Sequence, residues 1–272
     1  MKRVKRKNKD FWAERLLIKG RQALAGDADM SAVYRKEADF IREVLGLASG
    51  RTVLDLGCGT GDHCLALAEQ GIAATGIDVA PVLVDYASKQ ARQRSLPPTF
   101  LSADMRTFRP ETPFDAVFTS SGTFGLYESD ADNRSVLRTI RAALVPDGRF
   151  LIGPSGPDLL SANSFSKKDW FLGEDGCLLR ETAWDQSTSL FRESLLFIDE
   201  KGTVNEWAGF DDNSDGQYSR IYSLEDLRQM IAEEGLDFEA AYGSFQLPAK
   251  PYGVDTPRLL IVGSKTGDCS ST

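Results

Sequence analysis

The chain has 272 residues, 42% of them hydrophobic, 26% charged and 10% aromatic, and carries a formal net charge of −8. That length suits one globular unit with a small addition, because single cores grow to about 250 residues before chains divide. No stretch approaches the roughly 18 consecutive apolar residues of a bilayer span, and an acidic body repels phosphate backbones, so neither a membrane nor a nucleic-acid partner is expected. Six of the first nine residues are Lys or Arg, and no apolar core follows them to make a signal peptide; they read as a solvated leader. Cys58, Cys64, Cys177 and Cys269 contain no CxxC pair, and with the single His63 they do not assemble a zinc set, so the metal expectation is none and the compartment is a reducing, cytoplasmic one.

In chain order, apolar residues recur at helical spacing from Asp10 to Leu47, and the segment Gly26 to Ser31 divides them into two helices. Thr52 to Leu56 is a short buried strand running straight into the glycine turn 57–61, and a helix follows that stops at Gly71. The spacing then predicts a strand Ala73–Ile77 ending on Asp78, a helix from Pro81 to about Arg94, a strand Thr99–Leu101 and a strand Phe114–Thr119. A helix Asp130–Leu144, closed by Pro146-Asp147-Gly148, and a strand Arg149–Ile152 complete the series. Such alternation calls for a parallel sheet with helices on both faces. Beyond Gly153 it breaks into strands joined by short turns, Cys177–Trp184, Leu190–Ile198 and Thr203–Phe210, an antiparallel insertion. A capped helix from Ser223 to Gly235 and strands Phe238–Tyr242 and Leu259–Val262 follow.

The chemistry concentrates at LDLGCGTGD. Its glycines let backbone N–H groups approach a ligand at the carboxyl edge of the first strand. A dinucleotide turn has the form GxGxxG, whereas here Asp62 stands where the third glycine falls, and Asp55 at the strand end repels a pyrophosphate. A cation suits that carboxylate better. S-adenosylmethionine brings a sulfonium and an ammonium and no phosphate. Asp78 at the second strand end can accept both ribose hydroxyls, and Asp104-Met105 at the third can accept from the adenine amino group and pack on its ring.

VLDLGCGTG, GIDVAP, ADMRTF, FDAVFTSSGTFG and LVPDGRFLI, taken in that order from Arg51 to Ile152, resemble the class I S-adenosylmethionine-dependent methyltransferases. The DMR triplet, the Ser-Ser-Gly stretch and the insertion are similar to the small-molecule enzymes, among them amino-sugar and glycopeptide N-methyltransferases. The resemblance implies a Rossmann-like seven-stranded α/β sheet whose last strand is antiparallel. It implies cofactor contacts at Asp55, Gly57, Cys58, Gly59, Asp78, Val79, Asp104, Met105 and Arg106, with Ser120 near the methionine end. The expected division is a helical lid over 1–47, the α/β core over 48–153, the β insertion over 154–222, completion of the core sheet over 223–268 and a tail over 269–272. The Asn/Asp-Pro-Pro-Tyr signature of nucleobase amino methylation is missing; Thr119-Ser120-Ser121-Gly122-Thr123 stands in its place.

Methyl transfer from a sulfonium is an in-line displacement that needs alignment and exclusion of water more than a strong base. The candidate catalytic residues are His63, which reads first as an imidazole packed at a helix start, and Tyr34, on the helix that the resemblance folds over the donor methyl. Tyr34 also reads as a core aromatic. Arg220, Tyr222 and Tyr252 are candidates for the acceptor wall. The aromatics of the insertion read as core packing or as a homodimer face, and Cys58 reads as a small buried residue rather than a nucleophile. The expected activity is transfer of a methyl group to an amine or hydroxyl of a small metabolite such as a natural-product intermediate. The rivals are a cofactor-binding protein with a non-transferase or regulatory role, and a macromolecule methyltransferase docking through the basic leader.

Overall fold

The computed structural model describes residues 30–155, 167–173, 176–207, 217–253, 256 and 258–266. The leader, the helix expected before Gly26 and the tail lie outside the described residues. A seven-stranded sheet forms the core: β1 (Thr52–Leu56), β2 (Ala73–Asp78), β3 (Thr99–Ser102), β4 (Phe114–Phe124), β5 (Leu144–Pro154), β11 (Asp237–Tyr242) and β12 (Leu260–Ser264), in the spatial order β11-β12-β5-β4-β1-β2-β3. The first five strands run parallel, while β12 runs antiparallel to both β5 and β11. This is the Rossmann-like α/β sheet with an antiparallel last strand that the sequence led us to expect.

Both faces are covered, which is why β1 and β12 read as unbroken apolar runs rather than alternating ones. Val53, Ala74, Ala116, Phe118, Leu151 and Val262 point to one side. There they meet Phe40, Ile41 and Val44 of α1 (Met30–Leu45), Leu65 of α2 (Asp62–Glu69) and Ala87 and Ala91 of α3 (Pro81–Gln93). Leu54, Leu56, Ile77, Val117, Phe150 and Ile152 point to the other side. They pack on Val136, Leu137 and Ile140 of α4 (Asp130–Ala143) and on Leu227 and Ile231 of α5 (Leu224–Glu233). Each helix starts where its sequence says: Pro81 occupies the first turn of α3, Ser129 caps α4 by accepting from Ala131 N–H, and Ser223 with Asp226 forms a capping box on α5.

The structure extends several expected elements for reasons of pairing. Pro146-Asp147-Gly148 is a turn, with Asp147 at φ 59°, yet it lies within β5. Residues on both sides of it pair with β4, so the turn bulges out of a continuous strand. Ser120 to Thr123 likewise bulge from β4 at its carboxyl end before Phe124 rejoins Pro154.

The insertion is a second, wholly antiparallel sheet. β6 (Lys167–Gly173), β7 (Gly176–Asp185), β8 (Leu190–Asp199) and β10 (Gln217–Arg220) lie in the order β10-β8-β7-β6, and β9 (Val204–Trp207) pairs with β8. Sequence spacing finds β7, β8 and β9 but misses β6 and β10, which have too few residues between turn signals to show a period. Of the expected strand Thr203–Phe210, residues 208–210 lie outside the described residues. β10 ties this sheet to the core: Arg220 N–H donates to Gly125 O at 2.7 Å, just beyond β4.

Candidate functional site

The carboxyl ends of β1, β2, β3 and β4 converge on the turn 57–61. Gly57 and Cys58 N–H groups both donate to Ile77 O at 2.8 Å, folding the turn back across β2. Gly57, Gly59 and Gly61 have φ of 78°, 53° and 78°, the left-handed region that disfavours a Cβ. Two of them are also enclosed: a Cβ at Gly57 would lie 2.6 Å from Thr123 Cγ2, and one at Gly61 would lie 2.7 Å from the Phe100 ring. Gly59 differs, because nothing stands within 4 Å of its missing Cβ. The open side of the turn is therefore at Gly59.

Asp78 lies beside that opening. Its Oδ2 accepts from Gly59 N–H and its Oδ1 from Ala80 N–H, both at 2.9 Å. Burial pushes the Asp78 carboxyl up, against the pull of the backbone N–H groups. Each oxygen keeps a further lone pair, so the carboxylate is oriented by the protein and still able to receive two hydroxyls. Val79, next in sequence, leaves 41% of its surface exposed and offers an apolar shelf.

At the third strand end the arrangement is tighter than the sequence suggests. Arg106 donates from Nε and Nη2 to the Asp104 carboxylate at 3.0 and 2.6 Å, and its backbone N–H adds a bond of 2.8 Å. The Tyr127 hydroxyl donates to Oδ1 at 3.5 Å, and the Arg106 guanidinium lies 4.5 Å over the Tyr127 ring. Burial raises the Asp104 carboxyl, but the bonds from Arg106 outweigh it and hold the group below its usual range. Met105 is buried in the sheet face beneath rather than laid open beside Asp104. Tyr127, which the sequence analysis passes over, is the aromatic that borders Asp104.

Asp55 is fully enclosed under the turn. Its Oδ2 accepts from Cys64 Sγ at 3.7 Å and its Oδ1 has no partner. Burial pushes its carboxyl up to about 7, against the opposing pull of His63. It therefore contributes charge from behind the turn instead of a contact surface. Cys58 and Cys64 are buried too, and burial pushes both thiols up, the reverse of what a nucleophile needs. Because Asp55 binds a proton more readily folded than unfolded, it stabilises the fold most below pH 4. That contribution is lost as pH rises to about 7. Asp55→Asn is expected to gain stability relative to the parent across that window, by roughly 2–4 kcal/mol at neutral pH; urea unfolding at pH 5 and pH 8 measures the difference.

His63, on α2, joins the turn to α1. Its Nε2 lies 2.8 Å from Glu37 Oε2, the Tyr34 ring meets it edge-on at 5.1 Å, and Phe118 lies beneath at 6.1 Å. The structure thus brings both candidate catalytic residues together and adds Glu37, whose helical spacing of three from Tyr34 was the available signal. Ser120 lies half-buried on the β4 bulge at the same edge.

Residues 53–148 match the model of a methyltransferase domain. That stretch, which spans β1 to the middle of β5, is a methyltransferase domain. It is 27% identical over 223 residues to a cypemycin N-terminal methyltransferase from Streptomyces, covering 78% of this chain and 82% of that protein. Among solved structures it superposes on an S-adenosylmethionine-dependent methyltransferase from Clostridium acetobutylicum with a TM-score of 0.74 at 17% identity, covering 93% of this chain and 99% of that one. It matches an amino pentose methyltransferase of calicheamicin biosynthesis from Micromonospora echinaspora with a TM-score of 0.61 at 23% identity, covering 91% and 96% of the two chains.

The residues present at this edge fit S-adenosylmethionine. The open side of Gly59 admits a ligand against the turn, Asp78 has lone pairs for two ribose hydroxyls, and the orphaned Asp55 Oδ1 favours a cation rather than a phosphate. The candidates for the acceptor wall fall differently. Arg220 is bound on three sides, to Glu128 O at 2.7 Å, to Thr188 O at 2.9 Å and to Asp130 at 3.1 Å, and so staples the two sheets. Tyr222 is buried against Phe124, donates to Asp130 Oδ1 at 2.7 Å and accepts from Asn133 Nδ2 at 3.0 Å. Both belong to the frame and not to an open wall. Tyr252 is half-buried in the segment between β11 and β12, at the carboxyl edge. Tyr222→Phe is expected to lower stability by about 1–2 kcal/mol with no change in cofactor affinity, a pairing that urea unfolding and calorimetry together report.

Proposed function

We propose that the protein transfers a methyl group from S-adenosylmethionine to an amine or hydroxyl of a small metabolite. The observation that carries this reading is the Asp78 carboxylate, held by Gly59 and Ala80 N–H groups with free lone pairs, at the one open glycine of the turn. The second sheet, attached just beyond β4 through Arg220 N–H and Gly125 O, stands at the edge where a small acceptor would enter. The names of two relatives, a cypemycin N-terminal methyltransferase and an amino pentose methyltransferase, support an amine-bearing acceptor.

The bound cofactor supplies an electrophilic methyl group on a sulfonium. The protein's own part is placement. Asp78 would hold the ribose, Val79 would lie along the base, and Tyr127 with the Asp104–Arg106 pair would close its far side. Tyr34, carried on α1, meets the ring of His63, which Glu37 of the same helix holds by a hydrogen bond, and in this reading would serve as part of a lid. Alignment and exclusion of water account for most of the rate in such a displacement. A neutral amine needs no base; for a hydroxyl, His63 and Tyr34 are the candidate proton acceptors.

The test is incubation with methyl-labelled S-adenosylmethionine and a panel of amino sugars, amino acids and phenols. Formation of S-adenosylhomocysteine with label in an acceptor supports the reading. Cofactor binding without turnover on any acceptor favours a non-transferase role instead.

A further inference from the structure

The inner face of the second sheet is apolar along β8, where Phe191, Leu195 and Phe197 are buried. Glu193 interrupts it. Gln217 on β10 and Thr182 on β7 are its register partners on either side, so three polar side chains cross the face in one row, with directly opposed Cβ atoms about 5 Å apart.

The row is unevenly satisfied. Gln217 is 91% buried. Its Nε2 donates to Leu126 O at 3.2 Å and Tyr218 O at 2.8 Å, while its Oε1 is buried with no partner. Glu193 pairs with Arg180, Oε1 to Nη1 at 3.8 Å, while Arg180 binds Asp169 more closely, Nη2 to Oδ2 at 2.9 Å, and its Nε is buried without a hydrogen-bond partner among the described residues. The unpartnered Gln217 Oε1 thus stands beside the Glu193 carboxylate, whose side chain is 28% exposed and held only by the longer ion pair, on an otherwise apolar face. A buried acceptor without a donor is costly. A ligand bearing several N–H groups and a positive charge relieves both groups at once; a hydroxyl relieves one and brings no charge.

The row also faces the right place. The Gln217 amide reaches Leu126, and Arg220 on the same strand reaches Gly125, both in the segment that leaves the carboxyl end of β4. We propose that Glu193 and Gln217 form an ammonium-binding subsite that selects an amine-bearing acceptor. This deepens the methyltransferase reading and rests on it. Burial pushes the Glu193 carboxyl up and Arg180 pulls the other way.

The test is calorimetric titration of the full chain, with and without S-adenosylhomocysteine, using matched pairs of probes: glucosamine against glucose, and 2-aminoethanol against ethylene glycol. The amines are expected to bind at millimolar concentration and the hydroxyl counterparts at least tenfold more weakly. Glu193→Gln and Gln217→Leu are each expected to weaken the amines tenfold or more while leaving S-adenosylhomocysteine affinity and the thermal midpoint near those of the parent. Equal binding of each pair, no amine binding, or amine binding untouched by Glu193→Gln overturns the subsite. Loss of S-adenosylhomocysteine binding by the parent chain overturns the methyltransferase reading instead, and titration without that ligand still reports on Glu193.

Discussion

Asp78→Ala is expected to raise the dissociation constant for S-adenosylmethionine about thirtyfold, some 2 kcal/mol for the loss of charge-assisted bonds to two hydroxyls. The residue does two things at once. It receives the ligand, and it holds the turn by accepting from Gly59 N–H at 2.9 Å. The substitution therefore frees Gly59 to move as well as removing the acceptor. Asp78→Asn keeps the side chain's size but exchanges one acceptor oxygen for a donor, which faces either Gly59 N–H or Ala80 N–H. Its affinity is expected to fall at least as far. Titration calorimetry on both variants reads the loss directly, and an affinity within threefold of the parent would remove the ribose from this carboxylate.

Gly61→Ala carries the largest expected cost in stability, about 3 kcal/mol. A methyl group there meets the Phe100 ring at 2.7 Å and Ala87 Cβ at 2.8 Å, and the backbone is at φ 78°. Overpacking contributes roughly 1–3 kcal/mol and the left-handed conformation about 1 kcal/mol more. Gly59→Ala makes the contrast. It shares the positive φ but meets nothing within 4 Å, so its cost to the fold is about 1 kcal/mol and its main effect falls on cofactor affinity. Urea unfolding of the two variants separates a glycine needed by the protein's packing from one needed by its ligand.

The parts of this molecule that were legible in the sequence are those set by local rules. β1, the glycine turn, the Pro81 start of α3, the Ser223 cap of α5 and the acidic ends of β1, β2 and β3 each show in a few adjacent residues. What escaped depends on partners distant in the chain. β10 is four residues long and becomes a strand only by pairing with β8. β5 runs through Pro146-Asp147-Gly148 because β4 pairs on both sides of that turn. The same limit governs the site. Spacing points to Asp78, but no pattern reveals that Asp104 is bound by Arg106, that Asp55 is sealed behind the turn, or that Tyr222 and Arg220 join the two sheets instead of lining a wall. Glu37 and Tyr127 were missed for the same reason, since each acquires its neighbour only on folding, His63 at 2.8 Å and Asp104 at 3.5 Å.

The most direct measurement is calorimetric titration of the purified chain with S-adenosylmethionine and, in parallel, with NADH. A saturable heat with one equivalent of S-adenosylmethionine per chain, and none with NADH, is the result that an Asp78 carboxylate beside an open Gly59 predicts. Saturation by NADH with S-adenosylmethionine silent would contradict it.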